Sequence, residues 1–149
     1  MPDCTVIPEL VYDEVGEAIE WLCGAFGFRE RWRAGGHRAQ LAVGESGGAV
    51  VLTESRTGQR WRDQPDAAEL RVPRPGEFSS AVLVRVDDVD SHHSRARGSG
   101  ARILHEPADY PYGERQYSAM DLAGHRWCFT QSIADLAPEE WGGTTAEPT

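Results

Sequence analysis

The segment VGEAIEWLCGAFG, residues 15–27, is the part of the chain that decides the fold. Its apolar side chains recur at steps of three and four residues, the spacing of a helix with one face on a sheet: Val15, Ala18, Ile19, Leu22 and Phe26. We therefore expect a helix over 14–26, which Gly27 ends. A β-rich run over 5–12 precedes it, and three glycine-bounded runs follow: 28–33, 37–43 and 49–54. This order predicts a βαβββ unit.

The same order of elements returns about 74 residues later. A strand over 80–86 is followed by a helix over 89–97, which Asp87 and Asp88 precede as capping residues. Three further strands are expected: 102–105, 114–120 and 126–131. The sequence thus predicts an α+β fold of two βαβββ modules.

The organisation of the chain follows from this repeat, and we expect four parts: a first module over 1–54, a linker over 55–78, a second module over 79–131 and a C-terminal extension over 132–149. The linker is long for a compact domain, which favours a role in covering or binding something. In the extension, Ile133, Leu136 and Trp141 predict a docked helical turn before a frayed end.

The composition of the chain narrows its possible functions and partners. The chain has 149 residues and a formal charge of -9, and all 15 of its basic residues are Arg. This charge disfavours nucleic acid and anionic membranes as partners, and the lack of Lys excludes a Schiff-base mechanism. No signal peptide or membrane span is recognisable, so a cytoplasmic location is expected. The three cysteines are widely spaced and are expected to be reduced thiols.

Three stretches of the sequence resemble the vicinal oxygen chelate superfamily, which includes glyoxalase I, extradiol dioxygenases and bleomycin-resistance proteins. These stretches are AIEWL (18–22) running into FGF (26–28), VDDVD (86–90), and YGERQY (112–117) followed by DLAGHRW (121–127). The last is similar to the PhnB-like or glyoxalase-like branch. The resemblance implies a curled mixed sheet around a cavity, with helices on the outside, often completed by homodimerisation.

Metal-using members of that superfamily carry ligands on the first and last strands of each module. In the register of the repeat, these positions fall on Ile7, Leu52, Ala81 and Cys128. Three of these side chains cannot bind a metal, so no metal centre and no cofactor is expected. The alternative is a divalent metal held by a shifted set that includes Glu9, Glu54 or His37.

Aromatic and charged residues outside the expected core indicate a ligand pocket instead. We expect Trp32, Trp61, Tyr112 and Tyr117 to form its walls, Arg115 to donate hydrogen bonds, and Glu9 and Glu54 to complement charge. Flat rings and carboxylates suit a planar or cationic ligand. The same rings would equally suit a dimer interface. His92 and His93 are expected to be solvated, and Cys128 to be a buried, inert thiol.

Three functions remain open on this reading. The first is a metal-free protein that binds a small organic molecule in the cavity, with drug sequestration or resistance as one use. The second is a metal-dependent lyase, isomerase or dioxygenase. The third is a partner-binding protein with a vestigial cavity, which would form an obligate dimer.

Overall fold

The computed structural model describes residues 4–57 and 69–147 and contains the two expected modules. The first comprises β1 (Glu9–Tyr12), α1 (Val15–Phe26), β2 (Arg29–Ala34), β3 (Arg38–Val43) and β4 (Gly48–Glu54). The second comprises β5 (Ala81–Arg85), α2 (Val89–Gly98), β6 (Arg102–Tyr110), β7 (Glu114–Met120) and β8 (Arg126–Ser132). A 3-10 turn, Pro138–Trp141, follows in the C-terminal extension.

Each module forms its own four-stranded mixed sheet. The strand orders are β1-β4-β3-β2 and β5-β8-β7-β6. The first strand of each module pairs in parallel with the last, and the other pairs are antiparallel. The α+β fold of two βαβββ modules is therefore confirmed.

Strand β6 is longer than the sequence predicted. The sequence predicts a strand over 102–105, and the structure extends this strand to Tyr110 through a Pro- and Tyr-containing stretch that lay outside the predicted strands. Its pairing with β7 shifts register twice, once on each side of His105. Bulges of this kind accommodate Pro107 within a strand because they remove the need for its backbone donor.

The two helices are held by different means. In α1 the buried stripe is the predicted one, and Gly27 ends the helix in the left-handed conformation (φ 76°) with its N–H on the Cys23 carbonyl. Helix α2 buries only Val89 and Ala96, and its start is fixed by the Asp88 carboxylate, which accepts from the Ser91 N–H. Apolar packing stabilises helix α1, whereas hydrogen bonds at the cap contribute a larger share of the stability of helix α2.

Each sheet has one face that packs on the helices, which we call the helix face. We call its opposite face, turned away from the helices, the open face, although several of its side chains are buried. Alternation along the strands assigns Leu41 and Leu52 to the helix face of the first sheet, and Gln40 and Val51 to its open face. The helix faces of the two sheets share a single core. Four rings lie at its centre, with centroid distances of 4.8–5.7 Å from Phe26 to its neighbours: Phe26, Phe28, Trp127 and Phe129.

The buried carboxylate of Asp121 joins the two modules. Its Oδ2 accepts from the Tyr12 hydroxyl of the first module (2.7 Å) and from the Trp127 indole N–H of the second (3.0 Å). Its Oδ1 accepts from the backbone N–H groups of Ala123 and His125. The pKa of Tyr12 is raised well above its usual value, mainly by burial and then by the Asp121 charge, so its hydroxyl stays a donor.

His92 forms a second bond between the modules. The structure corrects the expectation that its ring is solvated, because the ring lies against Phe129 with centroids 4.1 Å apart. One ring nitrogen contacts the Phe26 carbonyl (2.9 Å) and the other contacts the Tyr117 hydroxyl. A neutral imidazole fits both bonds, donating to the carbonyl and accepting from the hydroxyl. The neighbouring His93 is also mostly buried, 2.8 Å from Glu106.

Within the described ranges, no helix is long and apolar enough to cross a membrane.

Replacing Asp121 with Asn is expected to lower the free energy of unfolding by roughly 2–6 kcal/mol, because the amide nitrogen leaves two buried donors without an acceptor. Tyr12→Phe is expected to cost less, roughly 1.5–3 kcal/mol, since it removes one bond to a charged group. Urea unfolding measures both, and Asp13→Asn on the exposed neighbour is the control. Equal stability of D121N and wild type would contradict a joining role for the carboxylate.

The unfolding free energy should also fall as the pH drops below about 6.5. Burial, and to a smaller extent the Arg95 charge, lowers the pKa of His92 below its usual 6.5. Below pH 6.5, His92 therefore binds a proton in the unfolded chain but not in the folded chain, which favours unfolding. His92→Gln should remove this part of the pH dependence, whereas His37→Gln in the exposed β2–β3 turn should retain it. Urea midpoints between pH 5 and 8 provide the measurement.

Candidate functional site

The open face of the first sheet carries a row of side chains across all four strands. The register aligns Glu9, Val51, Gln40 and Trp32, from the β1 edge to the β2 edge. Gln40 and Val51 are buried, at 2 % and 7 % exposure, whereas Glu9 at the edge is exposed and Trp32 is half-buried. This row therefore has a buried amide at its centre, a ring at one end and a carboxylate at the other.

A charged pair lies beside this row. The Arg38 guanidinium lies 3.4 Å from a Glu9 carboxylate oxygen and 3.4 Å from the Thr53 hydroxyl. Both members of the pair retain solvent contact, so it contributes little to stability. Its effect is on the site, because Arg38 partly neutralises the carboxylate that the sequence proposed as a charge complement.

The amide of Gln40 is the most unusual group on this face. Its Oε1 is buried, and among the described residues it has no hydrogen-bond partner. A buried acceptor without a donor costs roughly 1–3 kcal/mol. Such a group is rare in a packed interior unless a ligand or water completes it.

The open face of the second sheet is polar and hydrogen-bonded. The register aligns Leu83, Cys128, Ser118 and His105 in one row, and Arg85, Thr130, Gln116 and Ala108 in the next. The hydroxyl of Tyr112 donates to Gln116 Oε1 (2.9 Å), and Gln116 Nε2 donates to the Thr130 hydroxyl (3.1 Å). This chain of bonds holds the Tyr112 ring over the open face.

The structure places three of the seven predicted ligand residues on the open faces: Glu9, Trp32 and Tyr112. Glu54 pairs with Tyr12 and so lies on the helix side of β4, opposite to Glu9. Tyr117 is buried in the core, where it bonds His92. Trp61 lies outside the described residues.

Arg115 has a structural role in this arrangement. Its guanidinium lies 3.0 Å from Asp90 of α2 and 2.9 Å from Asp109 of β6. It therefore clamps the helix to the edge of the sheet, on the side away from the open face. The two aspartates satisfy the donors that the sequence reading assigned to a ligand.

The positions that the family resemblance marks as metal ligands carry no suitable ligand set. Leu52 is fully buried in the core, so the open-face residue of β4 at this level is its neighbour Val51. With Ile7, Val51 and Ala81, Cys128 would be a lone thiolate among apolar side chains, which does not fit a divalent cation. In the alternative set, Glu9 and Glu54 lie on opposite faces. The described ranges contain no group of three His, Cys, Asp or Glu arranged to hold a metal.

The thiol of Cys128 lies at the centre of the open face of the second sheet, between Leu83 and Ser118. Burial raises the pKa of this thiol, and the more distant Arg126 only partly opposes the shift. A raised pKa keeps the sulfur protonated and weakly nucleophilic at neutral pH. The Cys128 side chain therefore contributes a small, polarizable surface to the open face and does not act as a nucleophile.

A further cavity of about 950 Å³ lies between the modules, beside the free edge of β5. Its walls include Phe28, Val50 and Val84, together with the polar groups of His92 and Arg95. Both polar groups are committed to the fold, because His92 bonds Phe26 and Tyr117, and Arg95 donates to the Gly24 carbonyl (3.0 Å). Among the described residues, the open face of the first sheet differs from this cavity by carrying a buried oxygen without a hydrogen-bond partner, Gln40 Oε1.

The sequence and the fold match a known family. Residues 5–129 match the Glyoxalase/Bleomycin resistance protein/Dioxygenase superfamily, and the chain belongs to it. Among solved structures, TioX from Micromonospora sp. ML1 is 31 % identical, with a TM-score of 0.64 over 90 % of this chain and 100 % of that one.

More distant relatives agree on the fold. A glyoxalase/bleomycin resistance protein/dioxygenase from Nocardioides has 20 % identity and a TM-score of 0.66, covering 93 % of this chain and 90 % of its own. The fosfomycin resistance protein FosX from Mesorhizobium loti has 13 % identity and a TM-score of 0.58, covering 89 % and 94 %. An uncharacterized protein of Mycobacterium tuberculosis H37Rv is 27 % identical over 89 % of this chain and 77 % of its own length.

If Gln40 Oε1 is kept for a ligand, Gln40→Met should raise the unfolding free energy of the ligand-free protein by about 1–2 kcal/mol. The thioether has a similar volume and needs no donor, so the cost of the unpaired oxygen disappears. Thr53→Val on the same face is the matched control, because its hydroxyl has Arg38 as a partner and its loss should not stabilise. Urea unfolding that shows Q40M to be no more stable than wild type would contradict this reading.

Proposed function

We propose that this protein binds a small organic molecule on the open faces of its sheets, without a metal centre, and acts by sequestering it. The observation that carries this proposal is the buried Oε1 of Gln40 at the centre of an open face, which has no hydrogen-bond partner in the described part of the chain. Natural proteins keep such a destabilising group where function needs it. A ligand that donates a hydrogen bond to this oxygen would remove its cost.

The surrounding side chains support a planar ligand with a basic group. Trp32 ends the row that holds Gln40, and an indole ring recognises flat or cationic groups by stacking. The net charge of -9 attracts cations over longer distances. Glu9 contributes less than its charge suggests because Arg38 lies 3.4 Å away.

The donor set is the reason for proposing binding without a metal. Enzymes of this superfamily that use a divalent cation need several nitrogen or oxygen ligands converging on one point. Here the corresponding positions offer Ile7, Val51 and Ala81 beside a protonated thiol. Uncharged hydrogen bonds and stacking would do the recognition instead, and drug sequestration or resistance is one use of such a site.

A homodimer fits the surface of the second module. Strand β5 is at the edge of its sheet, and Leu83 on it is 62 % exposed. Val6 of the first module lines the 950 Å³ cavity beside β5 and is 78 % exposed. A second copy of the chain that covered this edge would bury both side chains and enclose the open faces. Light scattering after size-exclusion chromatography distinguishes a dimer from a monomer.

Two measurements on untagged protein test the proposed function. Elemental mass spectrometry should find far less than one nickel, zinc, iron or manganese ion per chain. A thermal-shift titration with 9-aminoacridine, a planar cation, should raise the melting temperature more than anthracene-9-carboxylate, a planar anion of similar size. Gln40→Met should reduce that shift although it stabilises the ligand-free chain.

About one bound metal per chain would overturn the metal-free reading and favour the enzyme alternative. Metal-free protein that responds to neither planar compound would overturn the proposal of a planar ligand. In that case an obligate dimer with no ligand response would point to the third function, a partner interface.

A further inference from the structure

A cavity of about 480 Å³ lies where the C-terminal extension crosses the open face of the second sheet. Its walls come from two sources, the sheet with its β6–β7 turn and the extension: Arg85, Tyr112, Glu114, Asp135, Leu136 and Trp141. None of these residues except Tyr112 was singled out as a ligand contact by the sequence. The cavity is separate from the row around Gln40, which belongs to the first sheet.

The extension is fixed against the sheet by its backbone. The N–H groups of Ile133 and Ala134 both donate to the carbonyl of Gly113, at 2.9 and 3.2 Å. Gly113 has a φ of +83°, and a Cβ there would clash with the Ala134 carbonyl oxygen. The close path of the extension therefore requires a glycine at this turn.

Two aromatic rings meet at the cavity. Tyr112 stacks on Tyr110, with centroids 5.4 Å apart and planes at 20°, and its hydroxyl is bonded to Gln116. Trp141 of the extension contacts Tyr112 edge-on, with centroids 5.8 Å apart and planes at 65°. Tyr112 is thus a fixed wall of the sheet, and Trp141 is a wall that the extension adds.

The exposure of the extension argues against a purely structural plug. Trp141 is 40 % exposed and Leu136 is 37 % exposed, although both line the cavity. A segment that served only to seal the sheet would bury its largest apolar side chains. Exposed apolar groups at the rim of a cavity are instead typical of a ligand-binding surface.

The charges at the cavity favour a cation. Arg85 and Glu114 form an ion pair at 2.9 Å, and Glu114 is the more buried partner. Asp135 adds a second carboxylate to the lining. Two carboxylates against one guanidinium leave a negative balance beside two electron-rich rings, and both features attract a flat cation.

We propose that the C-terminal extension completes a subsite on the second sheet for a planar, cationic ring of the ligand, which packs in the cavity against Trp141 and Tyr112. This inference rests on the proposed function and deepens it, because it adds a second binding surface for the planar, basic ligand and a residue, Trp141, that selects for it. In this arrangement, the C-terminal extension forms one wall of the binding site.

Fluorescence titration with 9-aminoacridine tests the subsite. Trp141→Ala should weaken binding about fivefold to tenfold, the usual effect of losing one aromatic and cation contact, and Trp141→Phe should restore most of it. Leu122→Ala removes an exposed apolar side chain away from the cavity and is the matched control. Circular dichroism and melting temperature check that each variant is folded.

Gly113→Ala provides a second, independent variant. Its Cβ should displace the extension and weaken 9-aminoacridine binding to the extent that Trp141→Ala does, without touching the ring itself. Should G113A lower the melting temperature too far for titration, W141A and W141F alone decide the matter.

The outcomes separate the subsite from the proposed function. Binding that is unchanged in W141A but weakened in Q40M would overturn the subsite and leave the proposed function standing. Equal or tighter binding of anthracene-9-carboxylate would overturn the choice of a cation. A wild-type protein that binds neither compound would overturn both proposals.

Discussion

The relative position of the two modules depends on a few buried polar bonds, above all those of the Asp121 carboxylate. This group accepts hydrogen bonds from Tyr12 of one module and Trp127 of the other. The hydrophobic effect is not directional, whereas hydrogen bonds between buried groups must keep their geometry or lose most of their value. Together with the His92 contacts to Phe26 and Tyr117, these bonds fix the orientation of the two sheets and therefore of both open faces.

The difference between the two faces of each sheet follows from that shared core. The helix faces contribute apolar side chains such as Leu41, Leu52 and Phe129. The open faces carry buried Gln40, Thr53 and Thr130 instead. Because the hydrophobic core is already complete on the helix side, the open faces are free to carry hydrogen-bonding groups. A site can thus be built on one side of the sheet with little loss of stability on the other.

The element order was predictable from the sequence, but the assignment of strand faces was not. Helix α1 has a clear apolar stripe, and glycines mark the turns, so both modules could be placed. Strands β3 and β4 carry apolar side chains on both faces, such as Leu41 and Ala42 in β3, so alternation does not tell which face meets the helix. The error of one residue at Leu52 and the placement of Glu54 beside Glu9 both follow from this ambiguity.

The contacts of Tyr117 and Arg115, two other predicted site residues, join segments that are distant in the sequence. Tyr117 bonds His92 of α2, and Arg115 pairs with Asp90 and Asp109, which only the packed structure brings together. Gln40 was missed because it is a single polar residue in an apolar strand. The signal was present in RAQLAV (38–43), because a buried amide among apolar neighbours needs a hydrogen-bond partner, either within the protein or from a ligand.

The choice of lining groups also bears on how such a site could discriminate among ligands. A metal centre binds any group with suitable donor atoms, whereas a buried amide oxygen penalises every ligand that fails to donate a hydrogen bond to it. Walls of ring and alkyl groups distinguish ligands of similar shape much less sharply. Specificity on this face would therefore depend on Gln40, while Trp32 and the polar residues near it would contribute mainly to affinity. Under the proposed function, the positions Ile7, Val51 and Ala81 supply no metal ligand, and the Gln40 amide would be the group that decides between ligands.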